Sequence, residues 1–355
     1  MIKHDEITVQ RSTHSRHSSE LVEQNDFGAV ISDHMFISDY HNGEWHNPRV
    51  IPYADLQLNP ATLALHYGQS VFEGMKAFRM KDGAVSIFRI EKHLARLNRS
   101  LERMCMPHIP EDLFREALIK FVETDQNWVP NGDGHSLYIR PFVFASEARF
   151  GVKVAEEYKF IIFGGPVGPY YGKPLKLKVE THFVRANKGG TGFAKCAGNY
   201  GASFYPSKLA REEGYDQVIW TDGREHQYIE ESGTMNVMFM FNNTLVTPAT
   251  SDSILDGVTR DSILTLANSL GVKHEERKIS IKELEEHLEA GTVTEAFGAG
   301  TAAVVAPIEH INIEGKDYTL PKATDDTFMM KVKNKLMSIR VGVEEDTHHW
   351  NTIVK

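Results

Sequence analysis

Gly189-Gly190-Thr191-Gly192-Phe193-Ala194-Lys195-Cys196-Ala197-Gly198-Asn199-Tyr200-Gly201 sets one lysine among five glycines, with a tyrosine five residues beyond the lysine. Glycine has no side chain to hold a ligand away, and it tolerates backbone conformations that other residues avoid. A lone lysine in such a setting is poorly placed as a solvated surface charge. Desolvation makes an ammonium group release its proton more readily, and the free amine is a nucleophile. Such an amine forms a Schiff base with a carbonyl, and pyridoxal 5′-phosphate (PLP) is the commonest carbonyl of this kind among cofactors. A phosphate-binding loop and a flexible turn with a stray lysine fit the segment equally.

The chain has 355 residues, which exceeds one typical core and predicts two domains. A chain of this size buries enough surface to need no disulfide or metal staple. Its two cysteines, Cys105 and Cys196, form no spacing motif, and a reduced, cytoplasmic protein is the simplest expectation. A net charge of −9 argues against nucleic-acid or acidic-membrane partners. No apolar run reaches the length of a membrane span, and the start of the chain lacks the apolar core of a secretory signal. Residues 1–25 are expected to form a loose polar tail. The 17 histidines contain no His-Glu-x-x-His pattern, so no metal site is expected.

Ile90, Leu94, Leu97, Leu101 and Met104 recur at helical spacing, with Arg96, Arg99, Glu102 and Arg103 on the other faces. A second helix begins near Pro110. Ser136 to Phe144 alternates as a strand, which puts Tyr138 and Arg140 on one face. The strand Tyr158 to Phe163 runs into Gly164-Gly165-Pro166-Val167-Gly168-Pro169, read as a linker. The domains are therefore placed at 1–170 and 171–355. In the second half, strands at Val218–Thr221, Met235–Phe241 and Thr292–Phe297 mix with helices from Gly257 and from Ser280. Regular βαβ units are missing, so the fold class is α+β rather than doubly wound.

Four further features carry chemistry. Glu231 precedes an apolar strand; it is either a solvated strand-end residue or, with a PLP lysine, the carboxylate that protonates the pyridine ring. Gly257-Val258-Thr259 opens a helix whose free N–H groups form an anion site. Gly298-Ala299-Gly300-Thr301-Ala302-Ala303 reads as a glycine-permitted turn facing a carboxylate or phosphate, because Pro307 leaves too little helix for a dinucleotide fold. Arg89, between a strand and the Ile90 helix, can fork onto a phosphate or form a surface ion pair. His348-His349 is expected on a solvated tail.

Together these blocks resemble the branched-chain amino-acid aminotransferases, within the fold-type IV PLP enzymes. The resemblance rests on Asp33-His34-Met35-Phe36, His66-Tyr67-Gly68-Gln69, Phe72-Glu73-Gly74-Met75-Lys76-Ala77 and Leu137-Tyr138-Ile139-Arg140-Pro141. Further on it rests on Lys195 with Gly198-Asn199-Tyr200-Gly201, Glu231 with Gly233-Thr234-Met235-Asn236, Leu255 with Gly257-Val258 and Arg260, and Phe297 to Ala302. It implies a two-domain fold like that of the D-amino-acid aminotransferases, with the cofactor between a smaller N-terminal and a larger C-terminal domain. It implies that Lys195 is the Schiff-base lysine, Glu231 the carboxylate at the pyridine nitrogen and Tyr200 the donor to the ring's phenolic oxygen. Arg89 and the amides of Val258 and Thr259 match the phosphate cup, and Thr301 also lies in the cofactor group. Thr301 and Ala302 match the turn that meets the substrate α-carboxylate. Tyr138 and Arg140 match the pair that takes the distal carboxylate of glutamate, and Tyr67, Phe72 and Tyr170 the walls of the side-chain pocket.

The implied reaction is transamination of leucine, isoleucine and valine with 2-oxoglutarate by a homodimer with small-molecule partners only. Three departures stand out. Ala303 and Ala306 replace the redox cysteine pair of mammalian members, Met238 replaces an aromatic residue, and Cys196 has no derived role. D-amino-acid aminotransferases and aminodeoxychorismate lyases are the alternatives within the fold. The D-specific enzymes carry Arg-x-His where this chain reads Tyr138-Ile139-Arg140. Outside it, a non-catalytic phosphate-binding module would be colourless, whereas a PLP enzyme is yellow.

Overall fold

The structure, a computed structural model, describes residues 5–22, 27–170 and 172–354. The chain divides into two compact units. One comprises residues up to 170 with 194–198 and 338–355; the other comprises 171–193 and 199–337. The N-terminal unit is the larger, where the smaller was expected, because two later segments return to it.

Among the described residues, the first unit is built on a nine-stranded sheet. Its order is Thr8–Val9, Glu44–Pro52, His34–His41, Tyr158–Val167, Ser136–Ala145, Met75–Arg79, Val85–Phe88 and Asn351–Val354, with Ser70–Phe72 paired to Ser136–Ala145. The pairing is antiparallel except at Thr8–Val9. Alternation along Ser136–Ala145 sends Leu137, Ile139 and Val143 into the core and leaves Tyr138 and Arg140 half-buried on the other face. The helices Ile90–Arg103 and Glu111–Thr124 bring Leu97, Leu101, Phe114 and Phe121 into the same core. Arg96 departs from the expected polar face. It is buried, because it meets a buried carboxylate rather than solvent.

Three other expectations change. Gly164-Gly165-Pro166 lies inside the strand Tyr158–Val167 rather than in a linker. Residue 165 must be glycine there because a Cβ would stand 1.9 Å from the Val30 carbonyl oxygen. The polar tail is tied down in part: Thr8 and Val9 pair with Arg49 and Val50, and Asp33 accepts from Ser15 Oγ and Arg16 N–H. Residues 1–4 and 23–25 of that tail lie outside the described residues. The segment after Arg340 is no solvated tail, since Asn351–Val354 extends the sheet and His348 stacks on Trp350.

The second unit also contains a nine-stranded sheet, in the order Ile229–Ser232, Gln217–Thr221, Leu175–Glu180, Val304–Ile313, Val293–Gly300, Met235–Phe241, Thr244–Thr247 and His274–Glu276, with Lys316–Thr319 beside Val304–Ile313. Ile229–Ser232 pairs in addition with Met235–Phe241, which closes the first six strands into a barrel-like ring. Ring closure removes two exposed edges. It also seats Glu231 next to Asn236. The helix Ile281–Glu289 starts as its capping signature predicts, with Ser280 Oγ accepting from Glu283 N–H at 3.0 Å. Leu97 is fully buried, and Leu97→Ala is expected to lower the unfolding free energy by about 2–5 kcal/mol in urea denaturation.

Candidate active site

Lys195 lies in an extended stretch of the first unit. Val71 and Cys196 form an antiparallel bridge there, Phe72 N–H donates to Lys195 O and Ala197 N–H donates to Ser70 O, both at 3.0 Å. Ala194 and Cys196 enter the hydrophobic core. Side chains alternate along an extended chain, so Lys195 leaves from the opposite side. Its Nζ lies 4.9 Å from the centre of the Phe72 ring. Cys196 thus has a structural explanation that its sequence position did not offer.

The same ring receives Arg140 at 4.7 Å, and Arg140 Nη2 donates to the Tyr138 hydroxyl at 3.2 Å. Arg140 Nε is buried with no hydrogen-bond partner among the described residues. Tyr138 has room because residue 74 is glycine; a Cβ there would stand 2.0 Å from the Tyr138 hydroxyl oxygen. Phe27, which sequence reasoning missed, meets Tyr138 at 4.8 Å and Tyr170 at 4.9 Å, edge to face. Its signal was slight, a single aromatic beside a glycine after a polar tail. Among the described residues no hydrogen bond or ring contact joins Tyr67 to this group; its exposed hydroxyl donates to the Phe150 carbonyl.

Arg89 caps the Ile90–Arg103 helix in the left-handed region, at φ 55° and ψ 50°. Few non-glycine residues adopt that conformation, and it persists only where the surroundings enforce it. Arg89 N–H donates to Trp350 O at 2.6 Å, and its guanidinium lies 4.8 Å over the Trp350 ring. Trp350, just before the C-terminal strand, therefore packs against this side chain.

Glu73 also escaped functional reading. It is fully buried and accepts from Arg96 Nε at 2.7 Å, Arg96 Nη2 at 2.8 Å and His93 Nδ1 at 2.8 Å. Burial alone would raise its pKa, but the Arg96 charge and these hydrogen bonds outweigh burial and hold the carboxyl well below the usual carboxylate range.

The second unit assembles a different group. Glu231 is buried, with Oε1 accepting from Leu255 N–H at 2.8 Å and from Asn236 Nδ2 at 3.4 Å. Arg185 Nε lies 2.9 Å from Glu231 Oε2, outside hydrogen-bond geometry. Asn236 Nδ2 donates to Leu255 O at 2.9 Å, and a Cβ on Gly257 would stand 1.9 Å from Asn236 Oδ1. Asn236 thereby links the carboxylate to the start of the helix Val258–Ser269, which has no side-chain cap. The first N–H groups of such a helix, those of Val258 and Thr259 among them, have no intrahelical acceptor. Sequence reasoning gave no role to Asn236 or Arg185, whose partners Leu255 and Glu231 lie elsewhere in the chain.

Tyr200 occupies the first turn of the helix Gly198–Glu212, which is tied to the preceding loop by Thr191 Oγ1 donating to Asn199 Oδ1 at 2.8 Å. Of the five glycines around Lys195, only Gly189 has a positive φ, 75°. Thr301 and Ala302 lie half-buried in the turn between Val293–Gly300 and Val304–Ile313. Gly298 and Gly300 lie in the strand rather than in that turn, against the Met235 side chain.

Residues 70–311 match the family described as amino-transferase class IV. The chain is 47% identical over 333 residues to branched-chain-amino-acid transaminase 1 of Bacillus subtilis, covering 92% of this chain and 94% of that one. The chain belongs to the class IV aminotransferases, among the branched-chain amino-acid aminotransferases. The branched-chain-amino-acid aminotransferase of Mycolicibacterium smegmatis is 43% identical over 91% of this chain and 90% of its own. The crystal structure of the Escherichia coli branched-chain amino acid aminotransferase superposes with a TM-score of 0.76 at 26% identity, over 91% of this chain and 99% of the other.

The cofactor of class IV aminotransferases is PLP. Groups suited to it occur in this aminotransferase. An uncapped helix start, relieved of a Cβ at Gly257, suits a phosphate. The buried Glu231 carboxylate, bridged by Asn236 and Leu255 to that same helix start, suits the pyridine nitrogen. The Lys195 amine lies over the Phe72 ring in the first unit.

Arg96→Met leaves the Glu73 carboxylate without its cation, and is expected to cost about 3–5 kcal/mol of unfolding free energy in chemical denaturation. A depressed carboxyl pKa adds stability above the unfolded value of about 4.3 and loses it as pH falls below that value. The acid limb of a Tm-against-pH curve should therefore be shallower in Glu73→Gln than in the wild type.

Proposed function

We propose that the chain transaminates branched-chain L-amino acids (leucine, isoleucine and valine) with 2-oxoglutarate, giving branched-chain 2-oxo acids and L-glutamate. The observation that carries this reading is the Phe72 ring, which lies near both Lys195 Nζ and the Arg140 guanidinium, the latter bonded to Tyr138. One pocket wall thus offers an apolar surface for a leucine side chain and a guanidinium for the distal carboxylate of glutamate. The names of the Bacillus subtilis and Mycolicibacterium smegmatis relatives support branched-chain amino acids as the amino donors.

Lys195 Nζ would hold the cofactor and, as a free amine, would move the proton at the substrate α-carbon. PLP, when bound, would supply the electron sink that makes this proton acidic. Glu231 holds the proton on the pyridine nitrogen, and Tyr200 donates to the phenolic oxygen. Arg89, with the amides of Val258 and Thr259, binds the phosphate, assisted by Thr301. Thr301 and Ala302 orient the substrate α-carboxylate. Tyr138 and Arg140 bind the distal carboxylate, while Phe72, Tyr170 and Tyr67 exclude water from the side-chain pocket.

We assign the two domains to residues 1–170 and 171–355, with 194–198 and 338–355 packing on the first. The enzyme acts as a cytoplasmic homodimer in this reading, and the exposed Leu65, Phe150 and Val152 support association. Tyr138-Ile139-Arg140 favours the L-branched-chain reading over D-amino-acid transamination and aminodeoxychorismate lysis.

Borohydride reduction of the yellow holoenzyme should fix a pyridoxyl group on Lys195, as read by peptide mapping. Recovery of the label on Lys188 would remove the assignment. Arg140→Met should lower kcat/KM for glutamate and 2-oxoglutarate about 10- to 150-fold, from the loss of a charge-assisted hydrogen bond, and should affect leucine far less. Equal losses in the two half-reactions would make Arg140 structural.

A further inference from the structure

Lys195 draws its backbone support from two elements of the first unit. Phe72 N–H takes its carbonyl, as described above, and Ser100 Oγ takes its amide, accepting from Lys195 N–H at 3.0 Å. Ser100 lies in the helix Ile90–Arg103 and is fully buried. Its hydroxyl donates to Arg96 O one turn earlier, at 2.9 Å. A serine hydroxyl has one proton to give, so that donation turns a lone pair toward Lys195. Arg96 is itself pinned to Glu73, the neighbour of Phe72. Both backbone contacts of Lys195 thus end on one ion pair. The segment makes no regular strand of its own, so these bonds, with Ala194 and Cys196 in the core, determine where Lys195 begins its reach.

We propose that Ser100 is a positioning residue for Lys195, aiming its amine by fixing its main chain. The proposal rests on Lys195 being the lysine that carries PLP, and the test separates the two. Apoenzyme of the wild type, Ser100→Ala, Ser100→Cys and Ser86→Ala is mixed with PLP, and the visible chromophore is followed with time. Ser86 is the control: it is equally buried, and its hydroxyl donates to Arg340 O at 3.0 Å.

Ser100→Ala is expected to gain the chromophore about 2- to 12-fold more slowly, the range that one lost hydrogen bond supports. Ser100→Cys, which fills the site with a slightly larger and weaker acceptor, should fall between Ser100→Ala and the wild type, and it carries the test if the alanine variant does not fold. Ser86→Ala should match the wild type in rate even where its Tm falls. Wild-type rates in both Ser100 variants, or equal slowing in Ser86→Ala, would overturn the proposal. Peptide mapping of the borohydride-reduced wild type reports separately on Lys195. A label elsewhere removes the reading beneath the proposal, whatever the Ser100 rates.

Discussion

The constraint on which the placement of Lys195 depends is the path of residues 194–196 beside Val71 and Phe72. Ala194 and Cys196 are held in the apolar core, and period-2 alternation then leaves Lys195 one direction only. A flexible four-carbon stem gains a defined starting point in this way. Phe72 serves this arrangement twice, through its N–H to the Lys195 carbonyl and through its ring beneath Nζ.

The ion pair of Glu73 and Arg96 stands behind that arrangement. Burying two charges is unfavourable unless geometry and hydrogen bonding compensate. Here every Glu73 oxygen is engaged, by Arg96, His93 and the Gly74 amide. The pair ties the strand bearing Phe72 to the helix bearing Ser100. The glycine that follows opens the space occupied by Tyr138. Phe72-Glu73-Gly74 is therefore three adjacent residues with three different tasks: a ring surface, a buried anchor and an absence of side chain.

In the second unit a neutral amide has the corresponding role. Asn236 bonds Leu255 O, reaches Glu231 and packs against Gly257, so the carboxylate and the helix start share one support. Closure of the strand ring makes this possible, because the pairing of Ile229–Ser232 with Met235–Phe241 places Glu231 opposite Asn236. Where sequence reasoning looked to glycine flexibility at 298–303, the structure shows close packing of strand glycines against Met235.

Much was legible in the residues themselves. Helical periodicity located Ile90–Arg103, alternation put Tyr138 and Arg140 on one face, and the order of elements pointed to α+β; each depends on neighbours in the chain and so is visible locally. The lysine segment and the Glu231 block were conspicuous because glycines and an acidic residue beside an apolar run are unusual in composition. The burial of Arg96, the link from Glu73 to Ser100, the place of Phe27, and the bond of Asn236 to Leu255 were hidden. Each is a pairing across loops, made between residues whose types alone read as surface charge, cap or tail. Local pattern determined which elements form and which way their faces point. Only the tertiary structure decided which polar groups would be buried together, because a buried charge is stable solely beside the partner that folding brings to it.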